Sequence, residues 1–190
     1  MPDDSDPSSS QTSAAPPYAG RTIALVGLMG AGKSTVGRRL AEKLGRDFYD
    51  SDAEIEKAAG LSISDIFALH GEADFRRGEK QVLKRMLDLP PHVLATGGGA
   101  FLDPDTRALM KEKAVTVWLN ADLDTLWRRV QKRDHRPLLK RPDAKAHLSN
   151  LVNERQPYYA QADLHVLSKD GPHTNTVNSI LKALQTWTPA

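Results

Sequence analysis

Residues 21–35 read "RTIALVGLMGAGKST". A short apolar, β-branched run ends at Gly27, and Gly27, Gly32, Lys33 and Ser34 then fit the pattern G-x-x-x-x-G-K-[ST]. The next residues, "KSTVGRRLAEKLG", place Val36, Leu40 and Leu44 at helical spacing, so the loop lies between a strand and a helix. In that setting glycines let the backbone wrap a nucleotide's phosphates, with successive N–H groups aimed inward at the helix N-terminus. Lys33 reaches the β and γ oxygens and Ser34 ligates magnesium, while Gly30, Ala31, Gly32 and Thr35 complete the nucleotide-facing set. An ordinary Gly-rich turn is the bland alternative, and the strand-and-helix context argues against it.

Working outward, the order of elements predicts an α/β fold. "RDFYD" reads as a second strand and "AEIEKAAG" as a short helix closed by Gly60. "SISDIFALHGEADFRRGEKQVLKRMLDLPP" reads as one or two helices, with Ser62 as cap, a possible break at Gly71 and an end at Pro90. "HVLATGGG" and "AVTVWLN" are strands three and four, with helices from Pro104 and from Asp122 on either side of the fourth. "DLHVLS" is the fifth strand and "TNTVNSILKALQTW" a closing helix. Strands alternating with helices imply a three-layer α/β/α sandwich around a five-stranded parallel sheet. The stretch "RRVQKRDHRPLLKRPDAKAHLSNLVNERQPYYAQA", basic and broken by prolines, is where a mobile insertion belongs, with a lid at about 130–146.

The chain has 190 residues, enough for one domain with a sizeable core. Lys plus Arg is 26 and Asp plus Glu is 24, a formal charge of +2, too balanced to imply nucleic acid or membrane as partner. The absence of cysteine excludes a disulfide framework and a thiolate metal site, and it fits a reducing cytoplasm. Residues 1–20, rich in Ser, Pro and Asp, read as a disordered tail ahead of a single domain at 21–190, without the features of a signal or transit peptide. No segment is apolar for the ~18 residues that suggest a membrane span, so the expectation is a soluble, cytoplasmic protein. No long apolar stripe points to a dimer, so a monomer is expected. The six histidines show no metal-ligand spacing and read as surface or packing residues.

A phosphate loop does not name a reaction. No Asn-Lys-x-Asp element marks a guanine-specific switch, and "VLATGGG" ends in Thr96 and glycines where a motor ATPase has an acid. The carboxylates at the end of the second strand, in "YDSD", are Asp50 and Asp52. Ligands of open parallel sheets bind beyond the strands' carboxyl ends, so these two and Gly97, Gly98 and Gly99 should face the phosphate loop. One aspartate could serve magnesium and the other an acceptor hydroxyl, or either could merely cap a helix.

The set "GLMGAGKSTVGRRLA", "DSDAEIEKAAGLSISDIFALHGEADFRRGE", "TGGGA", "RPLL" and "ER" before "PYY", running from about Arg21 to the final helix, resembles shikimate kinase. The family uses ATP and magnesium to phosphorylate the 3-hydroxyl of shikimate, on the route to chorismate and the aromatic amino acids. The resemblance implies that Asp52 holds the ring hydroxyls as candidate base, that Asp50 organises magnesium through water, and that Arg76 and Arg155 bind the shikimate carboxylate. It further implies Arg136 as a lid arginine on the transferring phosphate, Gly97 to Gly99 as a loop against the substrate, and Arg129 near the adenine. Glu79, one turn beyond Arg76, can orient it. A solvated helix pair with Glu72 is the bland reading of Arg76, and Phe67 and Phe75 stay open between pocket wall and core. The rivals are another carboxylated-polyol kinase, such as a gluconate kinase, and a nucleotide-dependent switch that has lost transfer.

Overall fold

The computed structural model describes residues 15–132 and 142–189. Five strands, β1 (Thr22–Val26), β2 (Phe48–Asp50), β3 (Val93–Ala95), β4 (Ala114–Asn120) and β5 (Leu164–Leu167), form one sheet in the order β2-β3-β1-β4-β5, every pairing parallel. The helices are α1 (Lys33–Leu44), α2 (Ser51–Ala59), α3 (Ile63–Leu87), α4 (Pro104–Lys113), α5 (Leu123–Gln131), α6 (Ala144–Tyr159) and α7 (His173–Gln185), with a 3-10 turn at Ala100–Leu102. All of β1 and β3 is buried, as is β4 up to Leu119, because both faces of a central parallel strand are covered. α1 packs on α7 and α3 on α4, and with this strand order the right-handed rule for parallel crossovers sets the two pairs on opposite faces. This is the expected three-layer sandwich.

Local chemistry fixes the boundaries. Ser62, Asp103 and Asp122 each accept the N–H three residues on and so start α3, α4 and α5. Gly71 (φ 77°, ψ 174°) breaks α3 into two helical segments, the break the sequence allowed for. Asp50 ends β2 and caps α2 through the Asp52 N–H, so α2 begins two residues before the predicted "AEIEKAAG".

Two expectations need correction. The proline-rich stretch after α5 carries a regular 16-residue helix, α6, whose buried Ala144, Leu148 and Tyr159, with half-buried Leu151, Val152 and Arg155, make a stripe at helical spacing. Pro157 sits in its last turn. Of the predicted lid, residues 133–141, Arg136 among them, lie outside the described residues. Of the residues assigned to the tail, 1–14 lie outside the described residues, while Pro17 to Gly20 form a turn, with Arg46 donating to the carbonyls of Tyr18, Ala19 and Arg21 and lying over the Tyr18 ring. Composition alone misses this, since one aromatic and one distant guanidinium supply the order.

No helix among the described residues is long and apolar enough to cross a membrane. At the sheet's opposite end from the phosphate loop, His92 is buried against the Tyr49 ring edge, its Nδ1 on the Pro90 carbonyl and its Nε2 without a partner. Burial lowers its pKa, the Pro90 bond and Asp47 oppose the shift, and Arg46 adds to it. The neutral form is therefore favoured in the fold, and the unfolded chain takes up the proton first. His92 costs nothing above the ordinary histidine pKa of about 6.5, and below it stability drains until the folded-state value is reached. Urea midpoints from pH 8 to pH 5 should fall faster below about pH 6.5 in the parent than in His92→Phe. Parallel acid limbs would contradict this account of His92.

Candidate active site

The phosphate loop owes its shape to backbone dihedrals. Gly27, Gly30 and Gly32 have φ of 137°, 85° and 96°, values that L side chains rarely adopt. Space is short as well: a Cβ on Gly27 would stand 2.8 Å from the Leu119 carbonyl oxygen. Gly32 leads into α1, and Lys33, its first residue, donates to the carbonyls of Gly27 and Leu28 at 2.7 and 2.9 Å. The lysine thus lies back along the loop at the mouth of a cleft of about 1360 Å³, which Gly30, Gly32, Ser34 and Thr35 also line.

The second strand brings up the carboxylates. Ser34 Oγ donates to Asp50 Oδ2 at 2.6 Å, while Asp50 Oδ1 accepts the Asp52 N–H at 3.1 Å. Asp50 is therefore both helix cap and partner of the loop serine, and the two readings offered by the sequence hold together. Ser34 and Asp50 present two hard oxygens at the start of α1, a donor set that fits Mg²⁺, which takes one or two protein oxygens and fills its shell with water and phosphate. Among the described residues no group of three or more His, Asp and Glu could hold a metal by itself. Asp52 stands apart, and burial first, then Asp50, raise its carboxyl to about 6 against the pull of Lys33. It is a carboxylate at neutral pH with a greater affinity for a proton than an ordinary aspartate.

Facing Asp52 is the glycine turn after β3. None of Gly97, Gly98 and Gly99 has a positive φ, so at Gly97 and Gly99 it is space rather than dihedral angle that favours glycine. A Cβ on Gly97 would fall 2.6 Å from Asp52 Oδ1 and 3.0 Å from Glu79 Oε1. One on Gly99 would fall 2.5 Å from Arg76 Nη1, and one on Gly98 3.6 Å from Arg155 Nη1. The turn thereby gathers the acid and both predicted carboxylate-binding arginines around itself.

Arg76 makes both of the ion pairs considered from the sequence, to Glu79 at 2.7 Å and to Glu72 at 3.3 Å. The Glu72 partner is exposed, so that pair contributes a few tenths of a kcal/mol. Glu79 is 4 % exposed and fixes the guanidinium. Burial pushes the Glu79 carboxyl up while Arg76 draws it down, and burial prevails; for Arg76 the two glutamates outweigh burial and raise its pKa. Phe75 and Phe67, their centroids 4.6 Å apart, both line the cleft, and Phe75 also belongs to the core, so each candidate reading of the pair holds in part. His147 and Leu151 of α6 line the same end.

At the other end Arg129 ties the phosphate loop to the segment after β5. It donates to the carbonyls of Gly30 and Ala31 at 3.3 Å each, to Ser168 Oγ at 2.9 Å and to the Lys169 carbonyl at 2.6 Å. Ser168 in turn donates to the Ala31 carbonyl at 2.8 Å. Asp170, Gly171 and His173 line this end of the cleft. The sequence left the contacts of this loop unassigned, since "SKDGPHTNT" matches the family's adenine loop only loosely. Two of the six histidines, His147 and His173, line the cleft.

A phosphate loop at one end and an acid between two arginines at the other suit transfer of a phosphoryl group to a small anionic alcohol. A family model described as shikimate kinase matches residues 29–185. A shikimate kinase of Paramagnetospirillum magneticum is 57% identical over 168 residues, 88% of this chain and 86% of that one. One of Caulobacter vibrioides is 56% identical over 169 residues, 89% and 84% of the two chains. Among solved structures, a shikimate kinase from Acinetobacter baumannii in complex with shikimate is similar with a TM-score of 0.83 at 38% identity, covering 88% of this chain and 94% of that one. With the family model spanning most of its length and relatives more than half identical to it over the aligned residues, the chain belongs to the shikimate kinase family.

Proposed function

We propose that this chain transfers the γ-phosphoryl group of ATP to the 3-hydroxyl of shikimate, giving shikimate 3-phosphate and ADP on the route to chorismate and the aromatic amino acids. The observation that carries the reading is the grouping of Asp52, Arg76 and Arg155 about one glycine turn, in the same cleft as the phosphate loop. Arg76, held by Glu79, and Arg155 receive the ring carboxylate, since a planar guanidinium meets a carboxylate through two parallel bonds. Asp52 accepts hydrogen bonds from the ring hydroxyls and takes the proton of the attacking one. Its raised affinity for a proton suits that step better than an ordinary aspartate's.

Lys33 and the backbone N–H groups of Gly30 to Ser34 hold the phosphates, and Arg129 and Thr35 bound the nucleotide end. Ser34 and Asp50 would hold Mg²⁺, directly or through water, and the ion would supply positive charge against the phosphates. Arg136, outside the described residues, keeps the part its motif implies, a guanidinium on the transferring phosphoryl. We further read the protein as a cytoplasmic monomer that binds no nucleic acid, in keeping with its balanced charge and lack of cysteine.

Coupled assay of ADP with ATP and magnesium should show turnover that requires shikimate and is absent with gluconate. Asp52→Asn should keep the fold and nucleotide binding yet lose at least ~10²-fold in kcat, within the range of a general base. Turnover with gluconate in place of shikimate, or an Asp52→Asn chain that works normally, would refute the assignment. Arg136→Ala should cut kcat by ~10³ or more, as loss of a phosphoryl-directed arginine does, with a far smaller change in ATP affinity. Equal losses in both would remove Arg136 from the transition state.

A further inference from the structure

Tyr159 closes α6, 1 % exposed, with its ring centroid 6.2 Å from that of Trp118. Its hydroxyl donates to the Gly98 carbonyl oxygen. Arg155, one turn earlier on the same face of the helix, reaches that same oxygen through Nη1 at 3.4 Å, the outer edge of hydrogen bonding. Two donors thus converge on one carbonyl, and the phenol holds it more closely. Burial keeps the phenol above its ordinary pKa against the pull of Arg155 and Arg76, so the proton it donates is present at neutral pH. On the opposite side the Gly97 N–H donates at 2.9 Å to Ser51 Oγ, a fully buried hydroxyl lying between Asp50 and Asp52 in the chain. The glycine turn is pinned by Ser51 on the acid side and by Tyr159 on the arginine side.

We propose that Tyr159 is a positioning residue for the acceptor site: by fixing the Gly98 carbonyl that Arg155 also bonds, it holds the Arg155 guanidinium where its other N–H groups can meet the acceptor's carboxylate. Without the phenol oxygen, the carbonyl and the guanidinium bonded to it lose that anchor, and the donors Arg155 keeps for the substrate are less well placed. The effect falls on acceptor binding and spares the nucleotide, whose loop is fixed by Arg129 and Ser168 on other elements. This inference rests on the shikimate kinase reading.

Initial-rate kinetics on the full chain test it, with shikimate and MgATP varied in turn. Tyr159→Phe keeps the buried ring and removes only the oxygen. The KM for shikimate should rise about tenfold, the worth of one hydrogen bond to a charged group, with the KM for ATP unchanged. In an Arg155→Ala background the same substitution should change the shikimate KM less than twofold, because its intermediary is gone. An unchanged shikimate KM, an equal rise in both KM values, or a tenfold effect that persists without Arg155 would each overturn the proposal. The parent chain separates the two readings: no shikimate-dependent turnover there contradicts the proposed function, whereas an active parent with an indifferent Tyr159→Phe contradicts only the role of Tyr159.

Discussion

Where the chain leaves β3 it must run between a half-buried acid and two guanidinium groups without contributing a side chain. Gly97 to Gly99 meet that demand, and the rest of the site is arranged around the room they leave. The glycines of the phosphate loop answer a different need, since Gly27, Gly30 and Gly32 hold dihedral angles that other residues avoid. In the proposed function one loop binds phosphate through its backbone N–H groups. The other lets Asp52, Arg76 and Arg155 approach one another closely enough to grip a single small molecule, and its two outward bonds, to Ser51 and Tyr159, fix where it stands.

Parallel topology brings the two loops together. β1 lies beside β3, so the loops that follow them open at the same sheet edge, where the switch in strand order leaves a crevice. β2, beside β3, adds Asp50 and Asp52 to the same rim. Asp50 then couples the parts, as cap of α2, as acceptor for Ser34 and as neighbour that raises Asp52. A helix cap and a metal-directing carboxylate make compatible demands on one side chain, because the first uses one oxygen and leaves the other turned to the phosphate loop.

Much of this was legible before any coordinates. The strand, glycine loop and helix at Thr22 to Leu44 announce themselves through a period change and a motif, and capping residues mark α3, α4 and α5. What the sequence hid has physical causes. α6 sits in a basic stretch flanked and interrupted by prolines, and only the spacing of Ala144, Leu148, Leu151, Arg155 and Tyr159 betrays it. Asp170, Gly171 and His173 reach the cleft from the turn between β5 and the start of α7, where no periodicity points the way. Ser51 and Tyr159 act through a backbone N–H and a carbonyl, contacts that side-chain type does not foretell. Arg136 and the segment 133–141 are known here from the sequence alone.

The central claim is that the glycine turn is glycine to give Asp52 its place. It is tested most directly by the steady-state kinetics of Gly97→Ala. The new methyl would press on Asp52 and Glu79, two side-chain ends that can move, so the fold should survive with a change of no more than ~1 kcal/mol. Displacement of the acid by a fraction of an ångström to one ångström should lower kcat with shikimate by ~10²-fold and leave the KM for ATP as it was. A Gly97→Ala protein that turns shikimate over at the parent rate would contradict the account.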